Sequence, residues 1–114
     1  MDRPRHERRQ HFRGKARPGR IMQVRFRTQP HASWIDAETR NIGVGGAFIA
    51  SSQIQPVGTP LVVEIKLPTS DQLFVLPAVV RWADPATGGM GVQFVNVDIN
   101  ILLELNDYFS SLTA

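Results

Sequence analysis

Alternation of apolar and polar residues begins at Ile21 and predicts a β-strand there. Met22, Val24 and Phe26 fall on one face, and the residues between them are polar or charged. Five further stretches with strand-like composition follow, each bounded by Gly, Pro, Asn or Asp residues that favour turns. These predicted strands are Ser33 to Ile42, Ala47 to Ala50, Leu61 to Leu67, Leu73 to Trp82 and Met90 to Val95.

The periodicity changes near Asp98, where a C-terminal amphipathic helix is predicted. Apolar residues then recur at steps of four, four and three positions, at Ile101, Leu105, Phe109 and Leu112. Asp98 or Asn100 caps the start of this helix. Six short strands and one helix predict an all-β-dominated fold, a six-stranded antiparallel barrel with a C-terminal helix over an open end or a flank. Closure into a barrel removes exposed strand edges.

The first twenty residues differ in composition from the rest of the chain. They hold eight of the thirteen basic residues, and their apolar residues are limited to Met1, Phe12 and Ala16. Such a segment cannot form a core face by itself. We therefore expect residues 1–20 to form a flexible basic arm and residues 21–114 to form one folded domain.

The distribution of charge restricts the class of partner. With Asp2 and Glu7 included, the arm carries +6, whereas residues 21–114 carry −3 from five basic and eight acidic side chains. An acidic body repels a long polyanion over most of its surface, which argues against nucleic acid and favours a small anion held by the arm.

The absence of cysteine excludes disulfides and thiolate metal sites and fits a reducing cytoplasm. Residues 1–20 contain no apolar segment typical of a targeting signal. The apolar stretches elsewhere are shorter than the roughly 18 to 20 residues that a membrane-spanning helix needs. We therefore expect a cytoplasmic protein without a membrane span.

Neither an enzyme nor a metal site is predicted. His6, His11 and His31 do not have the spacing of zinc ligands, and the glycines after Ile42 lack the Lys-Ser/Thr and the helix of a phosphate loop. We expect no catalytic residue and no cofactor. Eleven of the thirteen basic residues are arginine, whose planar guanidinium forms bidentate hydrogen bonds with phosphate and with the edge of guanine. Guanine nucleotides are the favoured ligands.

Two motifs in the expected order resemble those of PilZ domains. Arg9-Gln10-His11-Phe12-Arg13 resembles the RxxxR motif of that family, and Asn41-Ile42-Gly43-Val44-Gly45-Gly46 resembles its D/N-x-S-x-x-G motif. Met90-Gly91-Val92-Gln93-Phe94 is similar to the Gly-x-x-Phe of its last strand. The resemblance implies a non-enzymatic receptor for the bacterial second messenger cyclic di-GMP.

The resemblance also implies roles for individual residues. Arg9 and Arg13 would contact guanine and phosphate from an arm that orders over the ligand and changes a surface read by an unknown downstream protein. Asn41 would bind a guanine edge, and Gly46 would let the backbone approach the ligand. Arg8, just before the motif, resembles PilZ domains that bind an intercalated ligand dimer.

Two further candidate residues leave alternatives open. Gly43 stands where the family has a serine, and loss of that hydroxyl corresponds to about 0.5–1.5 kcal/mol of binding. A degenerate PilZ domain that binds a protein partner without nucleotide is the alternative, and nonspecific binding of nucleic acid by the arm is a third reading. Trp82 either stacks on a base or is a half-buried strand tryptophan.

Overall fold

The computed structural model describes residues 21–68 and 72–112, which form a closed antiparallel β-barrel and one helix. The strands are β1 Gln23–Arg27, β2 Ile35–Ile42, β3 Gly46–Ala50, β4 Pro60–Lys66, β5 Leu73–Asp84 and β6 Gly89–Phe94, and the helix α1 is Ile99–Ser111. Their order around the barrel is β1-β2-β3-β6-β5-β4, and β4 pairs back onto β1. The predicted six strands and terminal helix are confirmed, whereas the predicted arm lies outside the described residues.

The strand bounds differ from the prediction by one or two residues, most clearly in β2 and β5. β2 begins at Ile35 and not at Ser33. β5 continues past Trp82 to Asp84, because Asp84 still pairs with Gly89 at the start of β6. All of these differences concern strand ends, so the predicted number and order of strands are unaffected.

The interior of the barrel is filled by the apolar face of each strand. In β1 and the residue before it, Met22, Val24 and Phe26 are buried, as the alternation predicts. The fully buried side chains from the other strands include Ile42, Ile49, Val63, Ile65, Leu76, Val80 and Met90. Burial of this apolar surface is the main favourable contribution to folding.

Helix α1 packs on the same core. Asp98 is its N-cap, since Asp98 Oδ1 accepts a hydrogen bond of 2.8 Å from the backbone N–H of Asn100. Leu105 and Phe109 are buried and belong to the apolar cluster inside the barrel. Among the described residues, no helix has the length and apolar character needed to cross a membrane.

The start of the folded chain is fixed by hydrogen bonds between Met22 and Thr39. The N–H of Met22 donates to Thr39 Oγ1 at 2.9 Å, and the N–H of Thr39 donates to the Met22 carbonyl at 2.8 Å. Thr39 is fully buried, so these bonds are shielded from water. The chain therefore enters the barrel beside β2, two residues before Asn41.

Gly46, the first residue of β3, lies against the backbone of β6. A Cβ atom at this position would overlap the carbonyl oxygen of Val92, whereas a Cβ atom at Gly45 would meet nothing within 4 Å. A backbone atom cannot move aside as the end of a flexible side chain can. The close contact between β3 and β6 therefore requires glycine at position 46.

We expect Gly46→Ala to lower the free energy of unfolding by about 1–3 kcal/mol, because the added methyl group overpacks the strand contact. Gly45→Ala is the matched control, and its effect should stay within about 0.5 kcal/mol. Urea unfolding monitored by circular dichroism measures both. Equal stability of the two variants would contradict the close β3–β6 contact.

Candidate functional site

The turn between β2 and β3 holds the glycines of the second predicted motif. The N–H of Gly43 donates to the carbonyl of Gly46 at 2.9 Å and closes the hairpin turn. The N–H of Phe94 donates to the carbonyl of Gly45 at 3.0 Å, which ties the turn to the end of β6. The turn is therefore anchored to its own hairpin and to the neighbouring strand.

A β-bulge in β2 sets the direction of Asn41. The pairing of β2 with β3 shifts between Thr39 and Asn41, which leaves Arg40 as the additional residue. Thr39 and Ile42 are both fully buried, so successive inward positions are three positions apart here and not two as in a regular strand. Asn41, one residue before the inward Ile42, consequently points to the outer side of the sheet, where neighbouring groups leave it only 6% exposed.

A second bulge occurs in β5. Its pairing with β6 shifts between Val80 and Trp82, and Arg81 is the additional residue. Val80 is fully buried, and Ala83 packs against the core, which again gives an inward step of three. Trp82 is thus on the outer face and is half-buried there.

The two bulges align Asn41 and Trp82 across the outer face of the barrel. Asn41 pairs with Phe48, Phe48 with Gly91, and Gly91 with Trp82. We call these four residues the Asn41–Trp82 row. Since neighbouring strands are about 4.8 Å apart, the row extends over about 14 Å. The structure therefore places two sequence-predicted site residues in one line on the outer side of the sheet, with Trp82 half-buried and Asn41 buried.

Aromatic rings cover the middle of this row. The ring centroids of Phe48 and Trp82 are 5.5 Å apart, with planes tilted by 51°. A Cβ atom at Gly89 would overlap the Phe48 ring, and one at Gly91 would contact the Trp82 side chain at 3.6 Å. The two glycines of β6 leave space in which the rings lie against the sheet. Phe48 and Gly89 were not among the predicted site residues, although glycine at alternate positions of a strand is a signal for such close packing.

Charged and polar side chains surround the row. Arg81 Nε donates a hydrogen bond of 2.8 Å to Gln93 Oε1, which orients the guanidinium on the outer face. Arg40 is exposed at the other bulge. One pairing step away from the row, Glu38 and Asp84 lie opposite Ala50 and Gly89. The two cations and two anions balance, so an anionic ligand would need further positive charge.

The remaining predicted residues divide into two groups. Gly43 and Gly46 flank the turn that follows Asn41, and the structure gives Gly46 a packing role against Val92. Arg8, Arg9 and Arg13 lie outside the described residues. Within residues 21–68 and 72–112, no group of three or more His, Cys, Asp or Glu side chains is arranged to hold a metal ion.

The fold is similar to that of two solved structures, one of which is a PilZ domain. The chain is 14% identical to the PilZ domain of CeSA from a cellulose synthesizing bacterium, with a TM-score of 0.62 over 82% of this chain and 94% of that one. It is 22% identical to MotI/DgrA, an inhibitor of motility from Bacillus subtilis, with a TM-score of 0.62 over 84% of this chain. It spans about half, 48%, of the length of MotI/DgrA. These likenesses show the fold alone.

Comparison with curated proteins gives no significant match. The family model described as the PilZ domain matches residues 7–111, which include both predicted motifs. PilZ domains are generally non-enzymatic receptor domains for cyclic di-GMP. A match over this much of the chain, together with the barrel topology, shows that the chain belongs to the PilZ domain family.

Proposed function

We propose that this chain is a non-enzymatic cytoplasmic receptor for cyclic di-GMP, which it binds on the outer face of the barrel over the Asn41–Trp82 row. Arg9 and Arg13 of the arm, residues 1–20, close over the ligand from the other side. The observation that carries this proposal is the alignment of Asn41 and Trp82 on one surface by two separate bulges. Family membership supplies the ligand class.

The row supplies the contacts that a guanine base requires. The Asn41 side-chain amide has both donor and acceptor groups for the hydrogen-bonding edge of guanine. The indole of Trp82 offers an aromatic face on which a base can stack. Cyclic di-GMP has two guanines and two phosphates in a compact ring, so base contacts on the barrel leave the phosphates for the arm.

The arm is attached where it can reach the row. Met22 is held beside Thr39 in β2, two residues from Asn41. Arg13 is nine positions before Met22 in the chain, which allows a reach of up to about 30 Å. This exceeds the length of the row of about 14 Å. Chain length therefore permits Arg13 and Arg9 to contact a ligand anywhere along it.

The positive charge that an anionic ligand needs lies mainly in the arm. Arg40 and Arg81 on the barrel are offset by Glu38 and Asp84, whereas the arm carries +6. Two phosphate charges are best neutralised by arginines, whose two-point contacts are strong and directional. The oriented guanidinium of Arg81 adds one cation from the barrel side. Arg8 supplies an extra cation for a second ligand molecule in an intercalated dimer.

Ligand binding then changes the surface that a downstream protein reads. The free arm repels itself because its cations are close in sequence, and phosphate neutralises that repulsion. The bound arm and ligand together cover part of the outer face.

A second candidate function is supported by Gly43. The family motif has a serine at this position, and glycine has no hydroxyl to bind the ligand. In this alternative the domain binds a protein partner, with the basic arm on an acidic surface, and does not bind nucleotide.

We expect Arg9→Ala and Arg13→Ala each to weaken binding of cyclic di-GMP about tenfold or more, because each removes a charge-assisted hydrogen bond of about 1.5–3 kcal/mol. Isothermal titration calorimetry measures the affinity, and the fitted stoichiometry separates one ligand from an intercalated pair. Arg17→Ala is the matched control, since it removes the same charge from the arm outside the motif. Equal losses in all three variants would indicate general electrostatic attraction and would contradict specific recognition by Arg9 and Arg13.

We expect cyclic di-GMP to change the fluorescence of Trp82, because a stacked guanine alters the surroundings of the indole. The chain has two tryptophans, so Trp34→Phe and Trp82→Phe each leave one emitter. Trp34 lies beneath the Arg27 guanidinium, is not part of the row and serves as the control. Titration with cyclic di-GMP should quench the fluorescence of Trp34→Phe, which retains Trp82. The fluorescence of Trp82→Phe, which retains Trp34, should stay nearly unchanged. The reverse pattern would place the ligand away from the row.

We expect Gly43→Ser to strengthen binding by up to about tenfold, which corresponds to one regained hydrogen bond. The substitution is free of backbone strain, since the glycines with positive φ in the described chain are Gly58 and Gly88. Calorimetry on the two proteins also separates the two candidate functions. Binding by Gly43→Ser together with no binding by the natural sequence would favour the protein-interaction module.

A further inference from the structure

A groove with different chemistry lies on the outer face of β4 and β5. Its volume is about 400 Å³, and its walls are largely apolar. Among the lining residues are Pro60, Val62, Val75, Pro77, Val79 and Val95. We call it the β4–β5 groove. Of the described residues that line it, Arg27 is the only charged one.

The apolar walls of the groove remain open to water. Val75 is 47% exposed, and Leu73, further along the same face of β5, is 53% exposed. Contiguous apolar surface of this kind on a small domain marks a site of contact with another molecule. A small molecule in such an open groove would stay largely solvated, whereas binding sites for small ligands bury most of their ligand. The occupant is therefore the surface of a larger molecule.

Arg27 gives the groove a charge preference. Its guanidinium lies over the Trp34 ring, 4.3 Å from the centroid, and its Nε is buried without a hydrogen-bond partner in the described chain. The neighbouring Arg25, by contrast, donates from its Nε to Glu64 at 2.9 Å. The guanidinium as a whole carries a positive charge beside apolar walls, and such a charge attracts a carboxylate. The complementary surface is apolar with an acidic residue at one end.

Closure of the barrel restricts the secondary structure of a molecule that binds in the groove. Each of the six strands in the described part of the chain is paired on both sides, so an extended peptide finds no free edge among them. A helix satisfies its own backbone hydrogen bonds and needs only side-chain contacts. Val75, Pro77 and Val79 face outward at steps of about 7 Å along β5, close to the rise of about 6 Å between helix positions four residues apart.

The arm of this chain does not fit the groove. Residues 1–20 contain only three apolar residues other than glycine and proline, and their net charge of +6 is repelled by Arg27. The occupant must come from outside the chain.

We propose that the β4–β5 groove docks an amphipathic helix of a partner protein. The apolar stripe of that helix packs against Val62, Val75 and Val79, and an Asp or Glu side chain on it pairs with Arg27. This site is separate from the Asn41–Trp82 row, so the proposal does not rest on nucleotide binding.

A display library of peptides of about 16 residues, long enough to form a helix, tests the proposal when it is selected on the immobilised full chain. We expect enriched peptides to have apolar residues at helical spacing together with an Asp or Glu, and to become helical on binding. Val75→Lys should weaken their binding about tenfold or more, because it puts a charge into the apolar wall. Val57→Lys is the matched control, since Val57 is 63% exposed and does not line the groove.

A double-mutant cycle then tests the charge pair. Arg27→Gln should weaken the binding of peptides that contain the acidic residue and leave the binding of their Asp→Asn or Glu→Gln versions unchanged. The proposal is overturned if no peptide is enriched, if enriched peptides bind Val75→Lys as well as the natural chain, or if they bind in an extended form. It is also overturned if sedimentation shows a dimer of this chain that Val75→Lys dissociates, because the occupant would then be a second copy.

Discussion

Closure of the barrel by pairing of β4 with β1 is the constraint on which the rest of the structure depends. Four residue pairs, from Val24↔Ile65 to Arg27↔Val62, join these strands, which are far apart in sequence. Closure removes every free edge from the sheet and turns one face of each strand into the core. Recognition by the described strands is therefore limited to outward-facing side chains. The Asn41–Trp82 row lies on this outer side of the sheet, and the exposed apolar walls of the β4–β5 groove are formed by such residues.

Much of the fold could be predicted from local sequence patterns. Alternation identified the six strands, and the change to a spacing of three and four identified α1, because burial imposes a different period on each element. The pairing of β1 with β4 could not be predicted from alternation, since it joins residues about forty positions apart by a contact that leaves no local signature. The N-cap was ambiguous because Asp98 and Asn100 are both good caps, and only the bond from Asn100 N to Asp98 Oδ1 distinguishes them.

The site was predicted less completely than the fold, and the two bulges explain why. Asn41 and Trp82 were identified by motif and by aromatic character, but neither property gives the face of the strand on which they lie. That face depends on the extra residues Arg40 and Arg81. A signal is present in each strand, since the inward residues step by three from Thr39 to Ile42 and from Val80 to Ala83. This step of three can be recognised in the sequence only when it is already known which residues of the strand point into the core.

The rigidity of the barrel limits how a ligand on the row can influence a partner in the groove. β5 carries Trp82 in the row and Val79 in the groove, and the intervening backbone is fixed by pairing with β4 and β6. Moving either residue relative to the other would break ladder hydrogen bonds in a packed core, which deforms very little. Under the proposed function, coupling between the two surfaces would therefore arise from what the ligand adds to the outer face, namely its phosphates and the arm that neutralises them. Charge on the outer face, and not a displacement of strands, is then the quantity that a partner can detect.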